Sequence, residues 1–329
     1  MVGPATIAVT RRVFPELIEA LGREFHVLAN QDDRVLDAAA LRDFVAEADA
    51  VLANPADRID AALLAAAPRL KIAANVAVGY NNLDLAACTA AGVLATNTPD
   101  VLTESTADHA WALLLAAARR VGESERWLRA GQWRRNTFEM FMGAEVHGTT
   151  LGVLGLGRIG RAIAHRAAGF GMPVIYHNRR RLAPEFEGGA RYVGFEELLA
   201  QADHLVIVLP YSPAVHHLIG AAELARMKPG AVLVNIARGG VVDDVALAGA
   251  LASGRLAAAG LDVFENEPAL APALLECHNA VLTPHIASAT RGTRLAMANR
   301  ALANARAALA GERPPDLLNP EAWENRRRP

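Results

Sequence analysis

Short apolar runs alternate with amphipathic stretches almost from end to end of the chain. That alternation is what a parallel α/β sheet demands of its strands and crossover helices. In the first hundred residues TIAVT, FHVLA, AVLAN, KIAANV and VLATN read as strands, with helix-like segments such as PELIEALGRE and DAALLAAAPRL between them. One long apolar helix is predicted over ESTADHAWALLLAAARRVGESERWLRAG, with Thr103 or Ser105 as its cap. A polar arm containing aromatic residues follows, QWRRNTFEMFMGAEVHGT. A second alternating series then opens at TLGVLGLGRIG and runs through PVIYHN, HLVIVLP, AVLVNIARGG, AAAGLDVFENEP and AVLTPHIASAT. RGTRLAMANRALANARAALAGE has the apolar spacing of a helix packed on a core, and RPPDLLNPEAWENRRRP reads as a tail. The expected fold class is α/β, with two doubly wound parallel sheets.

Composition supports this reading. A chain of 329 residues suits two domains, and 52% apolar against 21% charged residues allows large buried cores. The net charge of −2 offers no footprint for nucleic acid, so a local explanation is needed for the cluster Arg179, Arg180 and Arg181. Cys88 and Cys277 are the only cysteines. Neither a disulfide framework nor a zinc site is expected from them, and no metal is assigned. The first residues read as strand and helix rather than signal peptide. Charge interrupts every alanine-rich stretch before the roughly 20 residues that a membrane span needs. A soluble, cytoplasmic protein is expected.

LGVLGLGRIGRAIAHRA places Gly155, Gly157 and Gly160 after a strand and at the start of a helix. Gly155 permits a tight turn, Gly157 lets backbone approach a pyrophosphate, and Gly160 lets helix and strand pack closely. The helix N-terminus presents N–H groups and partial positive charge to the phosphates. About twenty residues on, the next strand ends where a carboxylate would accept from a ribose 2′-OH and repel a 2′-phosphate. His177 and Asn178 stand there instead, followed by Arg179 and Arg180, and no acid occurs from Met172 through Pro184. This favours NADP over NAD, with Arg179 the leading phosphate ligand and Arg181 a solvated charge.

Three later strands end in residues with chemistry. AVLVNIARGG leads to Arg238, AAAGLDVFENEP to Asp262 and Glu267, and AVLTPHIASAT to His285. In open α/β sheets, ligands bind in the crevice outside these strand ends. Together the residues suit ketone reduction. Arg238 holds a carboxylate and polarises the adjacent carbonyl, while His285 protonates the developing alkoxide. Glu267 orients the ring and favours its charged form.

At these residues the chain resembles the D-2-hydroxyacid dehydrogenases, and most closely their glyoxylate/hydroxypyruvate reductase and 2-ketogluconate reductase branch. VAVGYNNLDLAA, NTPDVLTESTADHAWALLLAAARR, HGTTLGVLGLGRIG, VNIARGGVVDD, AAAGLDVFENEP and LTPHIASAT follow in family order. The resemblance implies that Arg238, Glu267 and His285 are the catalytic set. It implies that Ala77, Val78 and Gly79 bind the substrate carboxylate through backbone N–H groups, and that Ser288 lies near the substrate. Arg158 and Ile159 would meet the pyrophosphate and Leu209–Pro210 the adenine. Ala237 joins the cofactor set, and Asp262 would contact the nicotinamide amide. Residues 1–100 with 289–329 would form the substrate domain and 101–288 the cofactor domain. An arm at about 120–150 would pack in a homodimer, from which Phe138, Met140 or Phe141 would reach the partner's site. Asn81 departs from the family's aspartate, and capping of the following helix is its expected role.

The implied activity is NADPH-dependent reduction of small 2-keto acids such as glyoxylate and hydroxypyruvate. A sugar acid such as 2-ketogluconate, or an NAD-linked phosphoglycerate, keeps the same mechanism. A phosphorylated substrate would want basic residues such as Arg58 and Lys71. A dinucleotide-sensing interaction protein without turnover is the rival of another class.

Overall fold

Twelve strands form among the described residues, 3–328 of a computed structural model, most of them on runs of small or branched apolar side chains. The first sheet contains β1 (Thr6–Val9), β2 (His26–Ala29), β3 (Ala50–Ala53), β4 (Ile72–Asn75) and β5 (Leu94–Thr96), in the order β2-β1-β3-β4-β5. The second contains β6 (Leu151–Leu154), β7 (Val174–His177), β8 (Arg191–Tyr192), β9 (His204–Ile207), β10 (Ala231–Asn235), β11 (Leu256–Leu261) and β12 (Ala280–Leu282). Its order is β12-β11-β10-β9-β6-β7-β8. Every pairing in both sheets is parallel. The fold is α/β with two parallel sheets. Every residue of β3, β4, β6, β9 and β10 is buried. Helices cover both faces of such strands, which is why they read as continuous apolar runs rather than alternating ones. The chain divides into two units, one made of the residues up to Leu102 and those from Thr290 onward, the other of Thr103–Ala289.

Two segments differ from expectation. The long helix is two, Thr103–Ala118 and Val121–Arg129, with Arg120 in the left-handed region at φ 53° between them. The first buries Trp111, Leu113 and Leu114, whereas the second buries nothing, so no core contact requires the axis to continue. The arm's backbone returns to the end of the first helix, where the Ala144 N–H donates to the Ala118 carbonyl at 2.8 Å. That bond occupies a carbonyl that a continuing helix would have used. Thr103 is the first helical residue and Ser105 lies in the first turn.

The segment read as a tail is docked within the first unit. Leu318 N–H donates to the Ala95 carbonyl at 2.8 Å, and Asn319 Oδ1 accepts from Ala95 N–H at 2.9 Å. These bonds close the open side of β5, an edge strand that would otherwise present unpaired backbone. Arg327 donates to the carbonyls of Ala91, Ala67 and Leu70.

At the opposite end of this sheet Asp49 joins the starts of three strands. Its carboxylate accepts from Thr6 N–H at 2.8 Å, Lys71 Nζ at 2.7 Å and Arg69 Nη2 at 2.9 Å. Burial pushes this carboxyl up, but Lys71, Thr6 and Arg69 outweigh burial and hold it below the ordinary aspartate range. A carboxyl depressed on folding stabilises the fold above its unfolded pKa of about 3.9, and that stabilisation is lost as pH falls through the folded value. Asp49→Asn is therefore expected to cost about 2–3 kcal/mol at neutral pH. In urea unfolding, the gap between wild type and variant should narrow as pH falls below 4. A gap independent of pH would show that the charge is not what holds these strands.

Candidate active site

The second sheet reverses its winding between β6 and β9, and the loops beyond the strand ends there carry the candidate residues. From β6 the chain enters Gly155, which sits at φ +107°, and a Cβ there would lie 2.8 Å from the Val208 carbonyl oxygen. A Cβ on Gly160 would lie 2.2 Å from the Gly155 oxygen, so the helix Arg158–Arg166 can start close to the strand only with glycine there. A Cβ on Gly157 would meet nothing within 4 Å, which leaves that side of the loop open. The arrangement fits a pyrophosphate: a bent, side-chain-free loop running into a helix N-terminus. Arg158 and Ile159 are the first two residues of that helix.

Asn178 braces this loop, its Oδ1 accepting from Leu156 N–H at 2.7 Å. His177 turns its Nδ1 to the Val193 carbonyl at 2.9 Å and stacks on Tyr192. The three arginines separate. Arg181 donates to both oxygens of Glu187, at 2.7 and 3.1 Å, rather than being merely solvated. Arg181 and the Tyr176 hydroxyl hold that carboxyl below its ordinary range. Arg179 and Arg180 lie exposed just beyond β7. Glu187, one of the two acids that follow this strand end most closely, is thus already paired. Leu209 and Pro210 follow β9, on the strand exit that Gly155 approaches.

The catalytic candidates meet within this unit. Buried Asn235, at the end of β10, fixes the turn that carries Arg238: its Oδ1 accepts from Ala237 N–H at 3.1 Å and its Nδ2 donates to the Arg238 carbonyl at 3.3 Å. The guanidinium donates to the Ala237 carbonyl at 2.7 Å. Burial pulls Arg238 below its ordinary pKa, and the charge of Glu267 opposes that shift. The group remains a cation at any working pH.

Glu267 accepts from Phe264 N–H through Oε1 at 2.8 Å and meets His285 Nδ1 through Oε2 at 2.9 Å. Burial raises this carboxyl, but the His285 bond, the Phe264 N–H and the Arg238 charge together hold it below the usual range. An ionised Glu267 makes Nδ1 the donor nitrogen and leaves Nε2 as the atom able to exchange a proton elsewhere. His285 itself sits at φ 54°, a conformation that L residues seldom adopt. Asp262 secures it. Fully buried, Asp262 accepts from the N–H groups of Ile286 and Ala287, both at 2.8 Å, and from the Thr283 hydroxyl at 2.7 Å. His109 Nε2 stands 3.3 Å from the same carboxylate. Asp262 thus grips the two amides that follow His285, besides any contact with a cofactor. Asn235, Thr283 and His109 lie within VNIARGGVVDD, LTPHIASAT and STADHAW, but nothing in those motifs marks them as supports of the site. Ser288 lies in the same loop, three residues past His285.

In the first unit, the loop after β4 has its carbonyls turned inward. Ala77 accepts from Thr98 N–H at 2.9 Å, Val78 from Asn97 Nδ2 at 2.8 Å and Gly79 from Asn75 Nδ2 at 2.7 Å. In a trans peptide the C=O and the following N–H point oppositely, so the N–H groups of Val78, Gly79 and Tyr80 face away from these partners. Asn81 does not cap the next helix, because Asp84 does, accepting from Ala87 N–H at 2.9 Å. Lys71 precedes β4, at the opposite end from this loop, and pairs with Asp49. Arg58 lies 3.4 Å from Asp60. On the arm of the second unit, Phe141 packs edge-on against Trp127 and under the Arg120 guanidinium, whereas Phe138 is 100% exposed. No helix among the described residues is long and apolar enough to cross a membrane.

A dinucleotide loop and an arginine–glutamate–histidine cluster on one parallel sheet define a nicotinamide-dependent oxidoreductase. The family model described as D-isomer specific 2-hydroxyacid dehydrogenase, NAD binding domain, matches residues 111–287. The chain belongs to that family, and it is an enzyme interconverting 2-keto and 2-hydroxy acids with a nicotinamide dinucleotide. It is 46% identical over 327 residues to a glyoxylate reductase of Thermococcus onnurineus, covering 98% of each chain. To a glyoxylate reductase of Aeropyrum pernix it is 47% identical over 322 residues, covering 96% of each. Among solved structures it resembles an NADPH-dependent glyoxylate/hydroxypyruvate reductase of Sinorhizobium meliloti, crystallised with NADP and malonate. The TM-score is 0.86 at 34% identity, covering 99% of this chain and 100% of that one.

Proposed function

We propose that the chain is an NADP-preferring reductase of small 2-keto acids, glyoxylate and hydroxypyruvate first among them, yielding D-2-hydroxy acids. The observation that carries this reading is the 2.9 Å bond between Glu267 and His285 Nδ1, with the buried Arg238 charge acting on the same carboxylate. Bound nicotinamide supplies hydride to the keto carbon. Arg238 receives the substrate carboxylate with its planar fork and polarises the neighbouring carbonyl. His285 Nε2 gives its proton to the carbonyl oxygen as negative charge develops there, and Glu267 holds the ring in register throughout. The N–H groups of Val78 and Gly79 suit a carboxylate, which supports the first unit as the substrate domain and the second as the cofactor domain. The arm at about 120–150 would join two copies, with exposed Phe138 the candidate to reach the partner.

Arg179 and Arg180, with Glu187 already paired, support selection for a 2′-phosphate. The test is a panel of 2-keto acids assayed with NADPH and NADH, using wild type and an Arg179→Ala/Arg180→Ala variant. Wild type should prefer NADPH. The variant should lose about 10–100-fold in kcat/KM for NADPH, with the NADH value unchanged. Equal or better use of NADH by wild type defeats the cofactor assignment. Tight cofactor binding with no turnover on any 2-keto acid defeats the reductase reading and favours a sensor.

A further inference from the structure

Outside the residues used above, three side chains with metal-binding atoms converge on the surface of the second unit. His216 and His217 follow the short helical turn Pro213–Val215 beyond β9, and Glu265 lies in the loop after β11. His217 Nε2 is 2.9 Å from Glu265 Oε2, and His216 Nε2 is 3.8 Å from Oε1. The two imidazoles stack at 4.0 Å with planes 20° apart, and one donor atom from each of the three residues falls within 4.8 Å of the others. A tetrahedral ion bonded at about 2.0–2.2 Å to nitrogen and oxygen needs donors about 3.3–3.5 Å apart. The observed spacings bracket that value; for both ring nitrogens to face one ion the stacked imidazoles must turn out of their stack, and both side chains are exposed enough to do so.

The surroundings match what ligating histidines need. A metal-bound imidazole gives its second ring N–H to a carboxylate, a carbonyl or another acceptor, which fixes the ring and its tautomer. His216 Nδ1 lies 3.2 Å from the Tyr211 hydroxyl, and His217 Nδ1 is 3.9 Å from Asp243 Oδ2, a gap that a turn of the ring must close before the two can bond. Backbone bonds hold the ligands too: His217 N–H donates to the Gly240 carbonyl at 2.7 Å, and Glu265 N–H donates to Asp244 at 2.9 Å. A Cβ on Gly240 would come within 3.1 Å of the His216 ring, so the glycine leaves that imidazole its place. The side chains are 30–44% exposed, which gives an ion a way in.

We propose that His216, His217 and Glu265 form a site for a divalent transition metal ion of the zinc class. Two imidazoles and one carboxylate select such ions over magnesium or calcium, and three protein ligands leave one position for water. Neither cysteine takes part. The site stands whether or not the reductase assignment does, because its evidence is binding.

The test uses full-length, untagged protein treated with chelator. Zn²⁺ is titrated by calorimetry, and Co²⁺ by visible absorption. The expected result is one equivalent bound, with the intense d–d bands of a four-coordinate cobalt site. His216→Ala, His217→Ala and Glu265→Gln should each weaken binding at least about tenfold, and Asp243→Asn about tenfold through the second ring nitrogen. Asparagine still caps the helix that Asp243 begins, so that variant should keep its fold. His278→Ala, at an exposed histidine elsewhere, should bind as wild type does. Zn²⁺ should also raise the melting temperature of wild type but not of His216→Ala. Absence of stoichiometric binding overturns the proposal and leaves the cluster a histidine–glutamate ion pair. So does binding that survives both His216→Ala and Glu265→Gln, since the ion would then sit elsewhere.

Discussion

Asparagine in place of His285 is expected to lower kcat by about 10²–10⁴-fold, the usual loss when a positioned proton donor is removed. Binding of the reduced cofactor, followed by its fluorescence, should stay near wild type, since the dinucleotide loop is built from β6, β7 and β9. The size of the loss follows from the geometry. Glu267 engages Nδ1, so Nε2 is the nitrogen left to exchange the proton. Glu267→Gln should cause a smaller drop and shift the pH profile of kcat/KM, because an amide orients the ring without supplying charge. The double variant should be little worse than His285→Asn alone, as expected of residues that act as a unit. If His285→Asn keeps kcat within a factor of about three, proton donation by this residue is wrong.

Arg238→Ala is the second large effect. Removing one member of a buried, hydrogen-bonded charge pair costs about 2–5 kcal/mol, or about 30–5,000-fold in kcat/KM. Lysine should rescue poorly, because a point charge cannot match a carboxylate with two parallel bonds. The loss also reaches Glu267, which is held below its ordinary range partly by the Arg238 charge. Without that charge its carboxyl moves up, so the acid limb of the pH profile should move to higher pH. Free guanidinium in the assay should restore part of the rate if the missing group is the cation itself. A variant that keeps full kcat/KM on glyoxylate, or shows a change in stability alone, would remove Arg238 from the substrate site.

What the sequence disclosed and what it hid divide along physical lines. Strands covered on both faces must be apolar along their middles, so β3, β4, β6, β9 and β10 stand out as apolar runs with a polar residue only at an end. β8, two residues of which one is arginine, carries no such mark. Glycines with one permissible backbone are visible in LGLGRIG because the spacing itself encodes the turn. The chain's bend at Arg120 is not visible, since it depends on a backbone bond from Ala144, far along the arm. Local competition decided the helix cap after the loop that follows β4: Asp84 sits immediately before the helix, and Asn81 is three residues too early. Arg181 could be told from its two neighbours only through Glu187, six residues on. Most hidden was the support beneath His285. Nothing in LTPHIASAT announces a left-handed histidine, and the carboxylate of Asp262 that restrains it arrives from another strand.

The docked segment beside β5 has a consequence for how the protein is made. Ribosomes deliver the chain from its first residue, and units near the start usually mature before later ones. Here the sheet translated first keeps one border open until residues 318 and 319 emerge to cover it, after the whole second sheet has been synthesised. The nucleotide-binding half can therefore mature while its elder neighbour is still waiting, and the portion begun earliest is completed last.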